Sequence, residues 1–379
     1  MIYLDNAATS YPKPPEVITA MTSFLTHVGV GIGRGSHGQA LAANRMVYEA
    51  RERIASLFHL SDSSRVIFTH SATESLNLAV TGLLRTGDHV VTSSMEHNAL
   101  VRPLHRLSRQ GVAVTKVPCH RDGFLDPRDV AAALRPETRL IALSHCSNVT
   151  GVIQPVAEIG LLARSRGIVF LLDAAQSAGH IPLDAAELSV DLLAAPGHKG
   201  LLGPPGSGFL SIAPGLELEP LLVGGTGGAS SDPEQPLTSP ERYESGTHNT
   251  PGIAGLSAGV DVLLTTGVKE IRRQEQFLTS LLLDGLRTIP GVTVHGPGAP
   301  ERRVGVVSLT LAGVDPSEVG FRLDREFAIT VRVGLHCAPD AHRTMGTYPH
   351  GTIRVSPGFS STEADIDLFL RALRTIAPR

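Results

Sequence analysis

Short aliphatic runs alternate with longer amphipathic segments between residues 65 and 212 of the chain. The strand-like runs are 65–70, 89–93, 112–118, 139–145, 168–174, 191–195 and 207–212. Segments with helical periodicity lie between them, at 74–85, 98–110, 127–135 and 155–167. Aliphatic strands separated by helices of this length indicate a mainly parallel sheet covered by helices on both faces. We therefore expect an α/β fold, whose ligands bind beyond the carboxyl ends of the strands.

The pattern changes after residue 212. Residues 223–249 are rich in Gly, Ser and Pro and show no strand or helix periodicity, and a loop of this length is usually functional or disordered. Helical patterns then resume, and strand-like runs follow at 304–311 and 352–357. Ser360 and Glu363 predict a capping box for a last helix.

The chain has 379 residues, which is too long for one small core. We expect residues 15–257 to form a large α/β domain. Residues 1–14 and 258–379 are expected to form a small α+β domain packed against it.

The composition excludes several classes of protein. The formal net charge is −3 and no basic stripe is present, so nucleic-acid binding is not expected. No apolar run approaches the roughly 20 residues that span a bilayer, and the N-terminus MIYLDNAATS lacks the features of a signal peptide. We therefore expect a cytoplasmic protein without a membrane partner. Its three cysteines have neither metal-site nor disulfide spacing, and no metal site is predicted.

Polar residues follow three aliphatic runs at the predicted carboxyl ends of the strands. They are the segments 144–148 (SHCSN), 173–176 (DAAQ) and 198–199 (HK). A fourth segment, SATESLN, opens a helix at Thr73 or Glu74, and a helix N-terminus suits a phosphate group. These segments are expected to meet at one edge of the sheet.

An anion cradle, a carboxylate and an amine at one sheet edge match the needs of pyridoxal 5'-phosphate. A lysine forms a Schiff base with this cofactor, and a carboxylate keeps its ring nitrogen protonated. Lys199 and Asp173 are the candidates, and His97 in SSMEHNA could stack on the ring. Each of these residues also has an ordinary structural interpretation when it is considered alone. Lys199 would be a lysine in a turn, Asp173 a helix cap, and His97 a solvated histidine in a loop. Their occurrence at successive strand ends favours a site.

Several motifs together resemble the class V aminotransferase-like pyridoxal enzymes, and most of all cysteine desulfurases of the Suf (group II) type. The motifs are LDNAAT, SMEHNA, SNVTG, DAAQSAGH, GHKGLLGP, RYESGTHNTPGI and RVGLHCAP. The resemblance runs from residue 2 to about residue 373. It implies the fold type I architecture of pyridoxal enzymes: a seven-stranded, mainly parallel sheet, a small C-terminal domain, and a homodimer with its active sites at the interface.

The resemblance also implies roles for individual residues. Lys199 would bind the cofactor covalently, Asp173 would pair with its ring nitrogen, Gln176 would contact its ring hydroxyl, and His97 would stack on the ring. The phosphate would lie at Ala72, Thr73 and His198, with Thr247 reaching across from the second subunit. Asn148 and Arg354 would hold the substrate carboxylate, for which the planar fork of arginine is suited.

Cys337 in GLHCAP falls where this family carries its sulfur-accepting nucleophile. The implied reaction converts L-cysteine to L-alanine, leaves a persulfide on Cys337 and supplies sulfur to an acceptor protein or a small thiol, as in iron–sulfur cluster assembly. The reactive species is the thiolate, and His336 and Arg332 are candidates for favouring it. Cys146, at the end of an apolar strand, is interpreted as structural, and Cys119 is uninformative.

The sequence departs from the family pattern at the phosphate cradle. Ala72 stands where a second threonine is common, Pro196 replaces a usual serine, and His248 stands where proline is common. With fewer hydroxyl groups, the cradle would rely more on backbone N–H groups to bind the phosphate.

Other functions stay open to a lesser degree. A selenocysteine lyase or a cysteine C–S lyase on the same scaffold is the alternative, and a non-catalytic relative would not need Lys199, Asp173 and Arg354 together. The segment 33–38 (GRGSHG) formally matches a dinucleotide-binding motif, but a helical segment precedes it where a strand is required. Arg34 and His37 are instead candidates for lining the active site.

Overall fold

The computed structural model describes residues 1–33, 35, 37–227 and 231–378. Its helices are α1 (Pro15–His27), α2 (Gly38–Phe58), α3 (Ala72–Leu83), α4 (Asn98–Ser108), α5 (Pro127–Ala133), α6 (Val156–Arg166), α7 (Thr250–Thr266), α8 (Val268–Arg287), α9 (Pro316–Phe327), α10 (Pro339–Met345) and α11 (Glu363–Ile376). Its strands are β1 (Ile2–Tyr3), β2 (Val66–Thr69), β3 (His89–Ser93), β4 (Ala113–Val117), β5 (Thr138–Ser144), β6 (Val169–Asp173), β7 (Leu192–Pro196), β8 (Gly208–Ile212), β9 (Val292–His295), β10 (Val307–Leu311), β11 (Ile329–Thr330), β12 (Arg332–Gly334) and β13 (Thr352–Val355).

The central sheet has seven strands in the order β2-β8-β7-β6-β5-β3-β4. Strand β8 runs antiparallel to both of its neighbours, and the other pairs are parallel. The predicted mainly parallel sheet is therefore confirmed, and its strands coincide with the seven aliphatic runs.

Helices cover both faces of this sheet because alternate strand residues point to opposite sides. On β6, Phe170 and Leu172 belong to a core that includes residues of α2, α6 and α7. Leu171 belongs to the opposite core, with residues of α3 and α4. The prediction of helices on both faces is confirmed.

The C-terminal part contains a second, antiparallel sheet in the order β12-β13-β10-β9. Leu309, Ile353 and Phe369 lie in the core that this sheet shares with α8, α9 and α11. The capping box of α11 consists of Thr362 and Asp365, so the prediction of Ser360 and Glu363 was wrong by two residues. Glu363 is the first residue of the helix, where its charge favours the positive end of the helix dipole.

The N-terminal strand joins this C-terminal part, since β1 pairs in parallel with β11 and Asp5 bridges to Ser356. The expected boundary at 257/258 falls within α7, whose residues Leu256, Val260 and Leu263 are buried in the core of the central sheet. We propose that the large domain extends through α7 and that the small domain resumes near Gly267.

Residues 223–227 and 231–249 contain no helix or strand, as the sequence predicts for this region. Within the described ranges, no single helix is both long enough and apolar enough to cross a membrane. The pair α7 and α8 meets that criterion only jointly and is bent by 82° at their junction.

Candidate active site

A cavity of about 220 Å³ lies at the carboxyl ends of β5, β6 and β7. The final residues of these strands, Ser144, Asp173 and Pro196, all line it. The N-termini of α3 and α4 contribute Ala72 and His97. Parallel strands bring their carboxyl ends to one edge, which is how residues far apart in sequence come together here.

Lys199 lies just beyond β7, is partly buried and lines the cavity. Burial lowers its pKa to about 8, and the cationic Arg354 and Arg332 act in the same direction. The Asp173 carboxylate opposes this shift by favouring the charged amine. Lys199 is therefore held in a pocket, not exposed on a turn, and its amine is prepared to act near neutral pH.

The peptide bond that precedes Lys199 is held by the N-terminal segment. The carbonyl oxygen of His198 accepts hydrogen bonds from the Ser10 backbone N–H at 2.9 Å, from Thr9 Oγ1 at 3.0 Å and from Lys13 Nζ at 2.9 Å. These contacts fix the position from which the Lys199 side chain enters the cavity.

Asp173 and Gln176 lie on the same wall of the cavity, and both are buried. Asp173 accepts a hydrogen bond from the Ala175 backbone N–H at 2.9 Å. Burial raises the pKa of Asp173, while that hydrogen bond and the Lys199 charge oppose the shift. Gln176 Nε2 donates to the Ala7 carbonyl at 2.9 Å, which fixes the amide beside the cavity.

The N-terminus of α3 supplies the predicted anion cradle. The helix begins at Ala72, one residue before the predicted start, and Ser71 caps it by accepting a hydrogen bond from the Glu74 backbone N–H at 3.3 Å. Ser71, Ala72, Thr73 and His198 all line the cavity. Burial lowers the pKa of His198 to about 4, with help from Lys199 and Lys13, so its imidazole is neutral.

Thr247 does not line this cavity. It lies instead beside a separate small cavity that also contains Phe68, Glu74 and His248. A role for Thr247 in the site of a second copy of the chain therefore remains a prediction of the resemblance.

His97 caps α4, and its Nδ1 accepts a hydrogen bond from the Ala99 backbone N–H at 3.0 Å. Burial lowers the pKa of His97 to about 4, and the charges of Lys199, Arg332 and Arg354 add to this effect. The ring is neutral, with its proton on Nε2 because Nδ1 is the acceptor. A neutral imidazole held by its cap is suited to stacking on a flat ligand.

Arg354 and Asn148 meet at the side of the cavity nearest the small domain. Arg354 is fully buried and donates to Asp5 Oδ1 at 2.6 Å and to the Asn148 carbonyl at 3.1 Å. Its Nε has no hydrogen-bond partner within the described part of the chain. Asn148 Nδ2 donates to the His336 carbonyl at 2.6 Å. A buried guanidinium with a free donor is suited to a substrate carboxylate.

Cys337 is exposed and lies beside the cavity-lining Arg332, whose Nη2 is 3.5 Å from the Cys337 Sγ. The Asn98 backbone N–H donates to the Cys337 carbonyl at 2.8 Å. Both His336 and Cys337 have left-handed backbones, with φ of 48° and 59°, an unusual conformation for residues other than glycine. The loop thus presents the thiol outward at the edge of the site.

His336 does not act on this thiol as expected from the sequence. Its imidazole is buried, with Nε2 3.0 Å from Thr352 Oγ1, and burial lowers its pKa to about 2. A neutral ring that faces the core supplies no positive charge to Cys337. Of the two candidates, Arg332 alone is a cation in contact with the sulfur.

Comparison with known proteins assigns the family to which this site belongs. The model of the family described as aminotransferase class-V matches residues 2–369. The chain belongs to the class-V aminotransferase family. A probable cysteine desulfurase of Methanothermobacter thermautotrophicus is 36% identical over 382 residues, which cover 99% of this chain and 94% of the relative.

Solved structures give the same result. The apo structure of a cysteine desulfurase from Thermococcus onnurineus NA1 has a TM-score of 0.94 at 34% identity and covers 99% of this chain and 94% of its own. The cysteine desulfurase CsdA from Escherichia coli has a TM-score of 0.88 at 30% identity and covers 98% and 94%. The class-V fold predicted from the motifs is therefore confirmed.

Two residues that depart from the family pattern line the cavity of this class-V member. Ala72 and Pro196 contribute a methyl group and a pyrrolidine ring where hydroxyl groups were expected. The hydroxyls that remain on this wall belong to Ser71 and Thr73. Phosphate binding at this end would thus depend largely on the N–H groups of α3.

Sequence reasoning missed two residues of this class-V site, Asp5 and Glu96. Asp5 forms the ion pair with Arg354, and Glu96 is a buried carboxylate that hydrogen-bonds Ser144. Glu96 stands next to His97 in the motif SMEHNA, so its position was visible but its burial was not. Contacts between distant segments decide both roles.

The remaining predictions have different outcomes. Arg34 lies outside the described residues. His37 does not line the cavity of its own chain and instead caps α2 by accepting from the Ala40 backbone N–H at 3.3 Å, so a role for it in the site of a second copy stays a prediction. The segment 33–38 follows α1, so the strand that a dinucleotide motif requires is not there.

Cys146 is buried and lines the cavity, and burial raises the pKa of its thiol well above the ordinary value.

Proposed function

We propose that the chain is a pyridoxal 5'-phosphate-dependent cysteine desulfurase that converts L-cysteine to L-alanine and leaves a persulfide on Cys337. The observation that carries this proposal is the meeting of three groups at one cavity: the Lys199 amine beside the Asp173 carboxylate, the Arg354 guanidinium, and the Arg332 contact to an exposed thiol. The names of the relatives support the same activity. The Suf type in particular remains a prediction.

The residues that line the cavity fit pyridoxal phosphate. Lys199 would hold the aldehyde, Asp173 the ring nitrogen, Gln176 the ring hydroxyl, and His97 one face of the ring. The buried Nδ1 of His198 has no hydrogen-bond partner within the described residues, which leaves an unpaired polar atom at the phosphate end. When bound, the cofactor supplies an electron sink for a carbanion at the substrate Cα.

The charges of the side chains that line the cavity determine the role of each in the proposed reaction. Arg354 would bind the substrate carboxylate through the planar fork of its guanidinium, while Asp5 keeps the guanidinium in place. Lys199, with a pKa of about 8, has an appreciable neutral fraction near neutral pH and can remove the Cα proton. Burial in this cavity favours the neutral form of the amine.

The thiol completes the reaction. Cys337 Sγ forms a bond to the substrate sulfur while the substrate C–S bond breaks, and the electron pair stays with the substrate carbon. That carbon later takes up a proton to become the methyl group of alanine. The thiolate is the attacking species, and the Arg332 cation lies 3.5 Å from the Cys337 sulfur. Because Cys337 is exposed, its persulfide would be accessible to an acceptor protein or a small thiol.

Two further features belong to this proposal. We propose a homodimer, in which Thr247 of one copy reaches the phosphate end of the other, since Thr247 lies outside the cavity of its own chain. A cytoplasmic location remains a prediction.

The test is product analysis on the purified protein supplied with pyridoxal phosphate. We expect a visible absorbance band from the bound cofactor and the release of alanine from L-cysteine. Cys337→Ala should abolish alanine formation, whereas the matched control Cys119→Ala, at a cysteine that does not line the cavity, should leave it unchanged. Full activity of Cys337→Ala on L-cysteine would overturn the persulfide route. The same variant also tests the selenocysteine lyase alternative, because selenocysteine can release selenium without an enzymic thiol. If Cys337→Ala loses activity on L-cysteine but keeps activity on selenocysteine, Cys337 is needed only for the step that accepts sulfur from L-cysteine.

A further inference from the structure

A second buried carboxylate lies beneath the candidate site. Glu96 is 1% exposed and accepts three hydrogen bonds from the ends of two strands. Ser93 Oγ donates to its Oε1 at 2.5 Å, and Ser144 donates to its Oε2 from Oγ at 2.7 Å and from the backbone N–H at 2.8 Å. The mechanism above does not use this group.

Ser144 connects Glu96 to Asp173. The two residues Ser144 and Asp173 are cross-strand partners at the ends of β5 and β6. The Ser144 hydroxyl donates to Glu96, and its proximity to Asp173 lowers the pKa of that carboxyl as well. A hydroxyl group has one proton to donate, so Ser144 can serve only one of the two carboxylates at a time.

The charges around the two carboxylates are unequal. Asp173 faces the Lys199 amine and accepts from the Ala175 backbone N–H. The titratable groups around Glu96 are Asp173 from β6, Cys119 from the segment after β4, and the adjacent His97. Burial raises the pKa of Cys119 to about 11 and lowers that of His97 to about 4, so neither carries charge at neutral pH.

Two neighbouring buried carboxylates, of which only Asp173 interacts with a cation, cannot both ionise without a large cost in free energy, because each charge opposes the other in a poorly solvated place. Burial raises the pKa of Glu96 to about 7, the Asp173 charge adds to this shift, and the bonds from Ser93 and Ser144 oppose it. Below about pH 7 the proton therefore belongs on Glu96, which then donates it to the Ser93 or Ser144 hydroxyl, and the negative charge lies on Asp173.

We propose that Glu96 is a positioning residue that carries the one proton of the Glu96–Ser144–Asp173 group and so leaves Asp173 as the single negative charge on the cavity floor. Its action on the cofactor rests on the proposed function. One carboxylate charge at Asp173 matches one protonated ring nitrogen, whereas a second charge at Glu96 would be unbalanced. Glu96 acts through Ser144 and does not touch the ligand.

The first test uses the full-length protein without cofactor and measures thermal unfolding against pH. A glutamate in the unfolded chain has a pKa of about 4.3, so the folded protein binds more protons between there and about pH 7. Its stability must then fall as the pH rises through this range. Glu96→Gln cannot ionise, so its Tm relative to the wild type should increase from about pH 5 to about pH 7 and then level off.

Two controls sharpen this test. Glu318→Gln, an exposed site on α9, should show a Tm difference that does not change with pH. Ser144→Ala removes a donor that favours the ionised Glu96, so the fall in stability should move to higher pH, and this variant remains informative if Glu96→Gln folds poorly. A Tm difference between Glu96→Gln and the wild type that is constant from about pH 5 to about pH 8 would overturn the proposal.

The second test uses the protein loaded with pyridoxal phosphate and follows its visible absorbance from about pH 6 to about pH 8. We expect a spectral change in the wild type that Glu96→Gln lacks, and the variant at high pH should resemble the wild type at low pH. Identical titrations of both proteins would contradict the link to Asp173. Failure of the wild type to take up the cofactor would instead defeat the proposed function and would leave the unfolding result intact.

Discussion

The two halves of the candidate site are built differently. Lys199 and Asp173 lie at strand ends of the central sheet, within a wall whose burial alters the pKa values of both groups. Cys337 lies on a loop of the small domain, is exposed, and follows another left-handed residue. The half that would hold the cofactor is poorly solvated, whereas the half that would carry sulfur faces the solvent. Acid–base chemistry needs the first environment, and delivery to an acceptor needs the second.

Arg354 joins the two halves, and its replacement is expected to have the largest effect on catalysis among the changes considered next. Arg354→Lys keeps a positive charge for Asp5 but loses the fork that can bind a carboxylate at two points. We expect kcat/KM for L-cysteine to fall about thirtyfold, since a hydrogen bond to a charged group contributes about 2 kcal/mol. The loss should be mainly in KM.

The control for this change is the unfolding temperature of the variant with cofactor bound, which reports whether the buried pair still forms. An unchanged KM in a folded variant would mean that the carboxylate binds elsewhere, and the proposed connection between the halves would be wrong.

The large-domain half can be examined alone in the Cys337→Ala variant. We expect this protein to exchange the Cα proton of L-alanine for deuterium, with Lys199 as the base. Because a neutral amine is required and the Lys199 pKa is about 8, the exchange rate should rise roughly tenfold between pH 7 and pH 9. Proton NMR in deuterium oxide measures the exchange, and a rate independent of pH in this range would show that another group is the base.

The small-domain half can be tested by replacing Arg332 and measuring the reactivity of the Cys337 thiol. Arg332→Gln removes the cation that lies 3.5 Å from the Cys337 sulfur. We expect the rate of Cys337 alkylation by iodoacetamide at pH 7 to fall a few-fold, because a nearby cation favours the thiolate. The difference from the wild type should shrink as the pH rises. Equal rates at pH 7 would mean that exposure alone determines the reactivity of this thiol.

The central sheet could be predicted because its strands are continuous aliphatic runs. The short strands β1, β11 and β12 could not, since two or three residues carry no periodicity and form only through pairing with distant segments. The proposed extension of the large domain through α7 could not be predicted for a similar reason. The sequence of α7 shows that the helix has apolar residues to bury, but it does not show whether they pack into the core of the large domain or of the small domain.

In the site, residues at strand ends were predictable, because the chemistry of Lys199 and Asp173 is visible beside an aliphatic run. The pairing of Asp5 with Arg354, 349 positions away, depends on the closure of the whole fold. The direction of the His336 ring depends on the left-handed backbone of His336 and Cys337. The motif LHCAP does not predict this backbone, because glycine is the residue usually found in a left-handed conformation.

The most direct test of this account identifies the residue that holds the cofactor. Borohydride reduction of the protein loaded with pyridoxal phosphate, followed by peptide mass mapping, should place the pyridoxyl group on Lys199 alone. Lys199→Ala should then carry no label, while Lys116→Ala, which removes an exposed lysine paired with Asp340, should be labelled like the wild type. A pyridoxyl group on any other lysine, or undiminished labelling of Lys199→Ala, would contradict the account.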